Sequence, residues 1–189
     1  MSPEGVFQQP VNMSQAGETA RLFFALWPDA ALQARLAAWA KAAAGKGRPM
    51  RRENIHLTLV FLGDTRAALV PDLIALARGL SFAHIRLLLD RVGYWKHNRI
   101  VWCGADQDPP ALSALVAELR ARLDSVGIAF ERRPFVSHVT LVRNAPGLDA
   151  APAWSPLAWE AADFALVTSV RIEGRAAYQV LQRFPATAG

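Results

Sequence analysis

The chain has 189 residues, of which 52% are hydrophobic and 20% charged, with a formal net charge of +5. That length and apolar content can bury the core of one domain, which excludes a disordered chain, and no uninterrupted apolar run reaches the roughly 20 residues of a membrane-spanning helix. The single cysteine, Cys103, excludes an internal disulfide and fits a reducing, cytoplasmic compartment without demanding one.

Residues 1–19 are polar, with Gln8, Gln9, Asn12, Ser14 and Gln15, and lack the basic start and apolar middle of a signal peptide, so they read as a flexible tail. Arg21 to Trp27 reads as a buried strand punctuated by Pro28-Asp29. A helix follows from Asp29, its cap, to Ala44, with Leu32, Leu36, Trp39, Ala40 and Ala43 on one stripe and Gly45 as its stop. The loop from Gly45 to Arg52 is basic. It is either a solvated connection or an anion-attracting rim.

Ile55 to Leu62 reads as a strand, ended by Gly63-Asp64-Thr65, and a second helix runs from Val70, with Pro71 in its first turn, to Gly79. Phe82 to Tyr94 and Arg99 to Gly104 read as two strands of a hairpin turned at Lys96-His97-Asn98. Asp108-Pro109-Pro110 opens a third helix, striped by Leu112, Leu115, Val116, Leu119 and Leu123 and ended by Gly127. A strand from Phe135 to Arg143, a Pro- and Ala-rich connector over Asp149 to Pro156, and strands at Phe164 to Ile172 and Ala176 to Phe184 complete the chain. The order predicts an α+β fold over residues 20–185: a single bilobal domain whose two similar lobes place antiparallel sheets against a central groove, with helices outside.

Two of these strands repeat one phrase, His56-Leu57-Thr58-Leu59-Val60 and His138-Val139-Thr140-Leu141-Val142. In a strand, residues i and i+2 share a face, so each copy presents an imidazole and a hydroxyl together, with Leu57, Leu59, Phe61, Val139 and Leu141 on the opposite faces. A histidine at a strand start is also a common hydrogen-bonded structural residue. The repetition favours chemistry: two imidazoles across a groove are equipment for general acid-base catalysis near neutral pH. No metal site is expected, because His-x-Thr is not a His-x-His pair, no Cys-x-x-Cys occurs and no carboxylate lies in register with either motif. The positive charge, carried by arginine apart from Lys41, Lys46 and Lys96, points to a polyanionic partner or to a base-composition bias.

Paired His-x-Thr strands half a chain apart resemble the two-histidine phosphoesterase superfamily. Within it the text is similar to the RNA 2′,3′-cyclic phosphodiesterases, also called 2′-5′ RNA ligases. The resemblance rests on Arg21-Leu22-Phe23-Phe24-Ala25-Leu26, Glu53 through Gly63, Gly93-Tyr94-Trp95, Arg133 through Arg143, Phe164-Ala165-Leu166-Val167 and Tyr178-Gln179-Val180-Leu181. It departs from the family at Ser137, where a proline is usual, and at Thr168, where an acidic residue is common.

The resemblance implies a cofactor-free, metal-independent monomer acting on RNA ends or nucleoside 2′,3′-cyclic phosphates, with a 2′-phosphate as product. The two histidines would be its base and its acid: His138 activates water and His56 protonates the leaving 3′ oxygen, or the reverse. Thr58, Thr140 and Arg143 would hold the phosphate. The same site would also join a cyclic end to a 5′-hydroxyl, in reversible 2′-5′ ligation. An offset of five from His138 puts Arg143 on the wrong face of a regular strand, so a bulge, twist or strand end near Val142 must re-aim it. Phe24, Trp27, Tyr94 and Trp95 are candidates for nucleobase stacking or for the core. A hydrolase of another cyclic phosphate, such as an ADP-ribose cyclic phosphate, and a nucleotide- or RNA-binding module without turnover are the competing readings.

Overall fold

The computed structural model of the chain describes residues 18–148, 151–172 and 175–187. Strand β1 (Thr19–Leu26) lies near the middle of the main sheet and is buried on both faces, because its sequence interleaves two apolar sets. Leu22, Phe24 and Leu26 enter the main core with the helices, whereas Phe23 and Ala25 join Ala165 and Val167 in a smaller cluster on the other side of the sheet.

Three helices supply the main core. In α1 (Ala30–Ala43) the Asp29 carboxylate accepts the Leu32 N–H at 2.7 Å, so the expected cap forms. Helix α2 (Val70–Arg78) carries Pro71 in its first turn, and α3 (Pro110–Ser125) buries Leu112, Leu115, Val116, Leu119 and Leu123.

The remaining strands are β2 (Arg48–Pro49), β3 (Leu57–Arg66), β4 (Ile85–Leu89), β5 (Arg91–Trp95), β6 (Ile100–Gly104), β7 (Val139–Arg143), β8 (Leu157–Ala161), β9 (Asp163–Ile172) and β10 (Arg175–Pro185). All pair antiparallel, in the order β10-β9-β1-β3-β7-β6-β5, with β2 also on β7 and β4 with β8 apart. The two His-x-Thr strands are neighbours joined by one residue pair, Leu57 with Val139. One pairing leaves them free to diverge, and a groove opens between them.

Five details differ from the sequence reading. Strand β3 does not end at Gly63-Asp64-Thr65 but runs on to Arg66, because Gly63 to Arg66 pair with Leu22 to Thr19 of β1. The stretch Phe82 to Tyr94 is two strands in two sheets, because at Asp90 the chain leaves the β4 pairing and that carboxylate accepts the Asp106 N–H at 2.7 Å. Strand β8, in the stretch that no periodicity claimed, alternates buried Leu157, Trp159 and Ala161 against β4. The second motif strand begins at Val139, not Phe135, since the preceding segment is fixed by other contacts: Glu131 N–H to Phe61 O at 2.8 Å and the Ser137 hydroxyl to Asp108. Thr19 already pairs with Arg66 in β1, while the rest of the expected tail, up to residue 17, lies outside the described residues.

Candidate active site

His56 and His138 each stand one residue ahead of a strand and are oriented in the same way. The Nδ1 of His56 donates to Asn54 O at 2.7 Å, and that of His138 to Val136 O at 2.8 Å. A carbonyl two residues back thus fixes each ring and tautomer and leaves Nε2 free for chemistry. In His56 that nitrogen accepts from the Thr58 hydroxyl at 3.1 Å. Both rings, both threonines and Arg143 line one groove of about 610 Å³.

Two bulges decide what else faces this groove. Across β6 and β7, Trp102 pairs with Thr140 but Val101 with Val142, so Leu141 is the extra residue. Val142 then turns into the core and Arg143 into the groove, which is the re-aiming that the offset of five requires. The first motif does the same. Ala25 pairs with Thr58 and Phe24 with Val60, leaving Leu59 unpaired, and Phe61 comes to face the groove opposite Phe23. This corrects the placement of Phe61 on the core face. The two copies therefore match as His56, Thr58, Phe61 and His138, Thr140, Arg143: at the fifth place one offers a ring and the other a guanidinium.

The two histidines differ in surroundings. His56 is stacked on Trp27 at 5.2 Å between centroids and meets Phe23 and Tyr178 at 4.9 and 5.0 Å. Burial is the first cause that lowers its pKa to about 4, and the positive charges of Arg143 and His138 push the same way against the Asn54 carbonyl, which raises it. His138 meets one ring, Trp95, at 4.6 Å. Its pKa is lowered too, by burial first and by Arg143, while the Val136 carbonyl raises it.

Of the aromatic candidates, Trp95 lines the groove and Trp27 is occupied with His56. Phe24 is fully buried against Phe164 and Phe184, and Tyr94 donates its hydroxyl to Ala145 O at 3.0 Å while packing on the core. Neither of these two is free to stack on a base. Sequence reasoning missed Phe61, whose facing depends on the bulge, and Arg120 and Glu131, which reach the groove through α3 and the segment after it. It also missed Tyr178, brought to His56 from β10 by strand pairing. Among the described residues no group of three or more His, Cys, Asp or Glu side chains is arranged to hold a metal ion. No helix there is long and apolar enough to cross a membrane.

The family model for LigT-like phosphoesterases matches residues 26–102. The RNA 2′,3′-cyclic phosphodiesterase of Escherichia coli is 34% identical over 176 residues, covering 90% of this chain and 98% of its own. The protein of the same name from Thermus thermophilus is 32% identical over 177 residues, covering 87% and 89%. Among solved structures, E. coli LigT in apo form has a TM-score of 0.80 at 34% identity, over 91% of this chain and 100% of its own. The same protein in complex with 3′-AMP has a TM-score of 0.79 at 34% identity, over 90% and 100%.

Proposed function

The chain belongs to the LigT-like phosphoesterase family, and from that premise we propose that it is a phosphodiesterase opening RNA 2′,3′-cyclic phosphates with water to give 2′-phosphates. The observation that carries the reading is the matched pair of imidazoles: two rings, each held through Nδ1 by the carbonyl two residues back, on one groove beside an arginine. A strained five-membered cyclic diester needs a base on one side of phosphorus and an acid on the other.

Water attacks phosphorus as the base histidine takes its proton, and the bond to the 3′ oxygen breaks as the acid histidine protonates that oxygen. The product is a 2′-phosphate with a free 3′-hydroxyl. Thr58 and Thr140 donate to the non-bridging oxygens and Arg143 meets their charge, so the anionic transition state finds donors already in place. In this reading His138 is the base and His56 the acid. Since burial pushes His56 down to about 4, its role as acid relies on the bound phosphate, whose negative charge opposes that of Arg143 and favours the imidazolium. Phe61, which holds the place in the first motif that Arg143 holds in the second, offers the ribose or base an apolar wall.

One chain supplies both histidines, which supports a monomer built as a single bilobal unit over residues 20–185. The buried, unpaired Cys103 fits a cytoplasmic enzyme. With a 5′-hydroxyl in place of water, the same steps would join it to the cyclic end through a 2′-5′ linkage as the 3′ oxygen leaves. The test is to incubate purified protein with nucleoside 2′,3′-cyclic monophosphates in EDTA and resolve the products. Nucleoside 2′-monophosphates alone are expected. Loss of activity in EDTA would refute the metal-free chemistry, and turnover of no cyclic phosphate would refute the enzyme.

A further inference from the structure

The basic loop between α1 and the short 3-10 turn Arg52–Asn54 is built onto the edge of β7. Arg48 pairs with Arg143 and Pro49 with Val142, and Met50 N–H donates to Leu141 O at 2.8 Å. Gly47 makes the approach possible: a Cβ there would stand 2.7 Å from Val142 Cγ1 and 3.0 Å from Ala145 Cα. Directly opposed residues of an antiparallel pair project to one face, so Arg48 stands beside Arg143 on the face that carries the groove.

On the other flank of β7, Arg99 occupies the β5–β6 turn with φ of 56°, and Ala145 N–H donates to its carbonyl at 2.9 Å. Its guanidinium lies against Ala145 O and Asn144 O, each at 3.3 Å, immediately beyond Arg143. Arg48 on β2 and Arg99 in the β5–β6 turn thus flank Arg143 on the two sides of β7. All three are exposed, and among the described residues none has a carboxylate partner. Arg133, elsewhere on the groove, is neutralised by Glu131.

A mononucleotide cyclic phosphate has one anionic group, which Arg143 meets. The two further cations have no counterpart on such a substrate. We propose that Arg48 and Arg99 bind the phosphodiester backbone of the RNA strand next to its cyclic end, so that the site selects polynucleotide ends over free nucleotides. This rests on the phosphodiesterase reading above.

Binding of the reaction product tests it without turnover. A short fluorescent RNA ending in a 2′-phosphate is titrated by anisotropy across a salt series, and a nucleoside 2′-monophosphate is measured by competition. The proteins are the unaltered chain, Arg48→Ala, Arg48→Lys and Arg99→Asn, the last because asparagine tolerates the positive φ. Each neutral substitution should weaken RNA binding about tenfold more than it weakens nucleotide binding, and should make the slope of log affinity against log salt shallower by about 0.7. Arg48→Lys should restore the slope, which a purely structural role of Arg48 would not predict. Equal weakening of both ligands, or an unchanged salt slope, overturns the arginine row. Failure to open cyclic phosphates bears instead on the phosphodiesterase reading, and the binding measurement still decides the row.

Discussion

A proton on either groove histidine has little solvent around it and a permanent cation nearby. Burial lowers His56 to about 4 and lowers His138 from 6.5 as well, so both are neutral at pH 7. The reaction requires one charged and one neutral ring. Since kcat/KM reports the free enzyme, its bell should lie on the acid side, with an acid limb near His56 and an alkaline limb below 6.5. The kcat bell should move up in pH, because bound phosphate favours the imidazolium. An alkaline limb of kcat/KM above pH 7 would count against this account. Exchanging acid and base gives the same bell, so roles are separated by leaving group. On a cyclic phosphate, His56→Ala and His138→Ala should each lose about 10² or more in rate. On a nitrophenyl phosphodiester, whose leaving group needs no proton, His56→Ala should lose much less and His138→Ala as much as before. The opposite pattern would make His56 the base.

Between the residues and the sheet stand short pieces of backbone whose path decides where each side chain arrives. His138 is set by the segment Val136–Ser137, whose Ser137 carbonyl lies so close to β6 that a Cβ on Gly104 would stand 2.5 Å from its oxygen. Gly104→Ala must therefore push that segment, and His138 with it. A displacement of about 1 Å can cost 10² in rate, so kcat on a cyclic phosphate should fall at least tenfold while the far-ultraviolet circular dichroism is retained. Unchanged kcat would show that the segment does not position His138. Ser137→Ala removes the bond to Asp108 that stands where the family usually has proline, and should lower stability by about 1 kcal/mol in a thermal or urea melt with a smaller rate loss. This scale also divides what was legible in the sequence from what was not. The His-x-Thr phrases are local and place His56, Thr58, His138 and Thr140 by alternation alone. The facing of Arg143 and Phe61 depends on which residue is skipped when β7 pairs with β6 and β3 with β1, and partner strands are not written in the local text. The offset of five reveals that Arg143 needs a bulge, because a role was already attached to it. Phe61 has no such role attached, and alternation puts it on the wrong face.

At the scale of the molecule, the α+β class and the three helices follow from signals carried within each segment: the Asp29 cap, the prolines that open α2 and α3, and apolar stripes. The change of sheet at Asp90 and the β4–β8 pair are decided by packing between segments about 70 residues apart, which local periodicity does not encode. The same global packing makes the fold sensitive to acid. His56 is enclosed by rings from β1, the residue after it and β10, and is kept neutral by that enclosure. In the unfolded chain a histidine titrates near 6.5. Below that pH the unfolded state takes up a proton that the folded state refuses, so stability present above 6.5 is lost as pH falls toward about 4, and below that both states are protonated. The difference corresponds to roughly 3 kcal/mol for His56, with His138 acting in the same direction. Urea unfolding at pH 7 and pH 4.5 of the unaltered chain and of His56→Gln isolates this contribution, because the carboxylates that titrate in the same window are common to both. The unaltered chain should lose more stability between the two pH values than the variant does. Equal losses would mean that the enclosure of His56 does not hold its proton off, and the acid-side bell expected for kcat/KM would lose its physical basis with it.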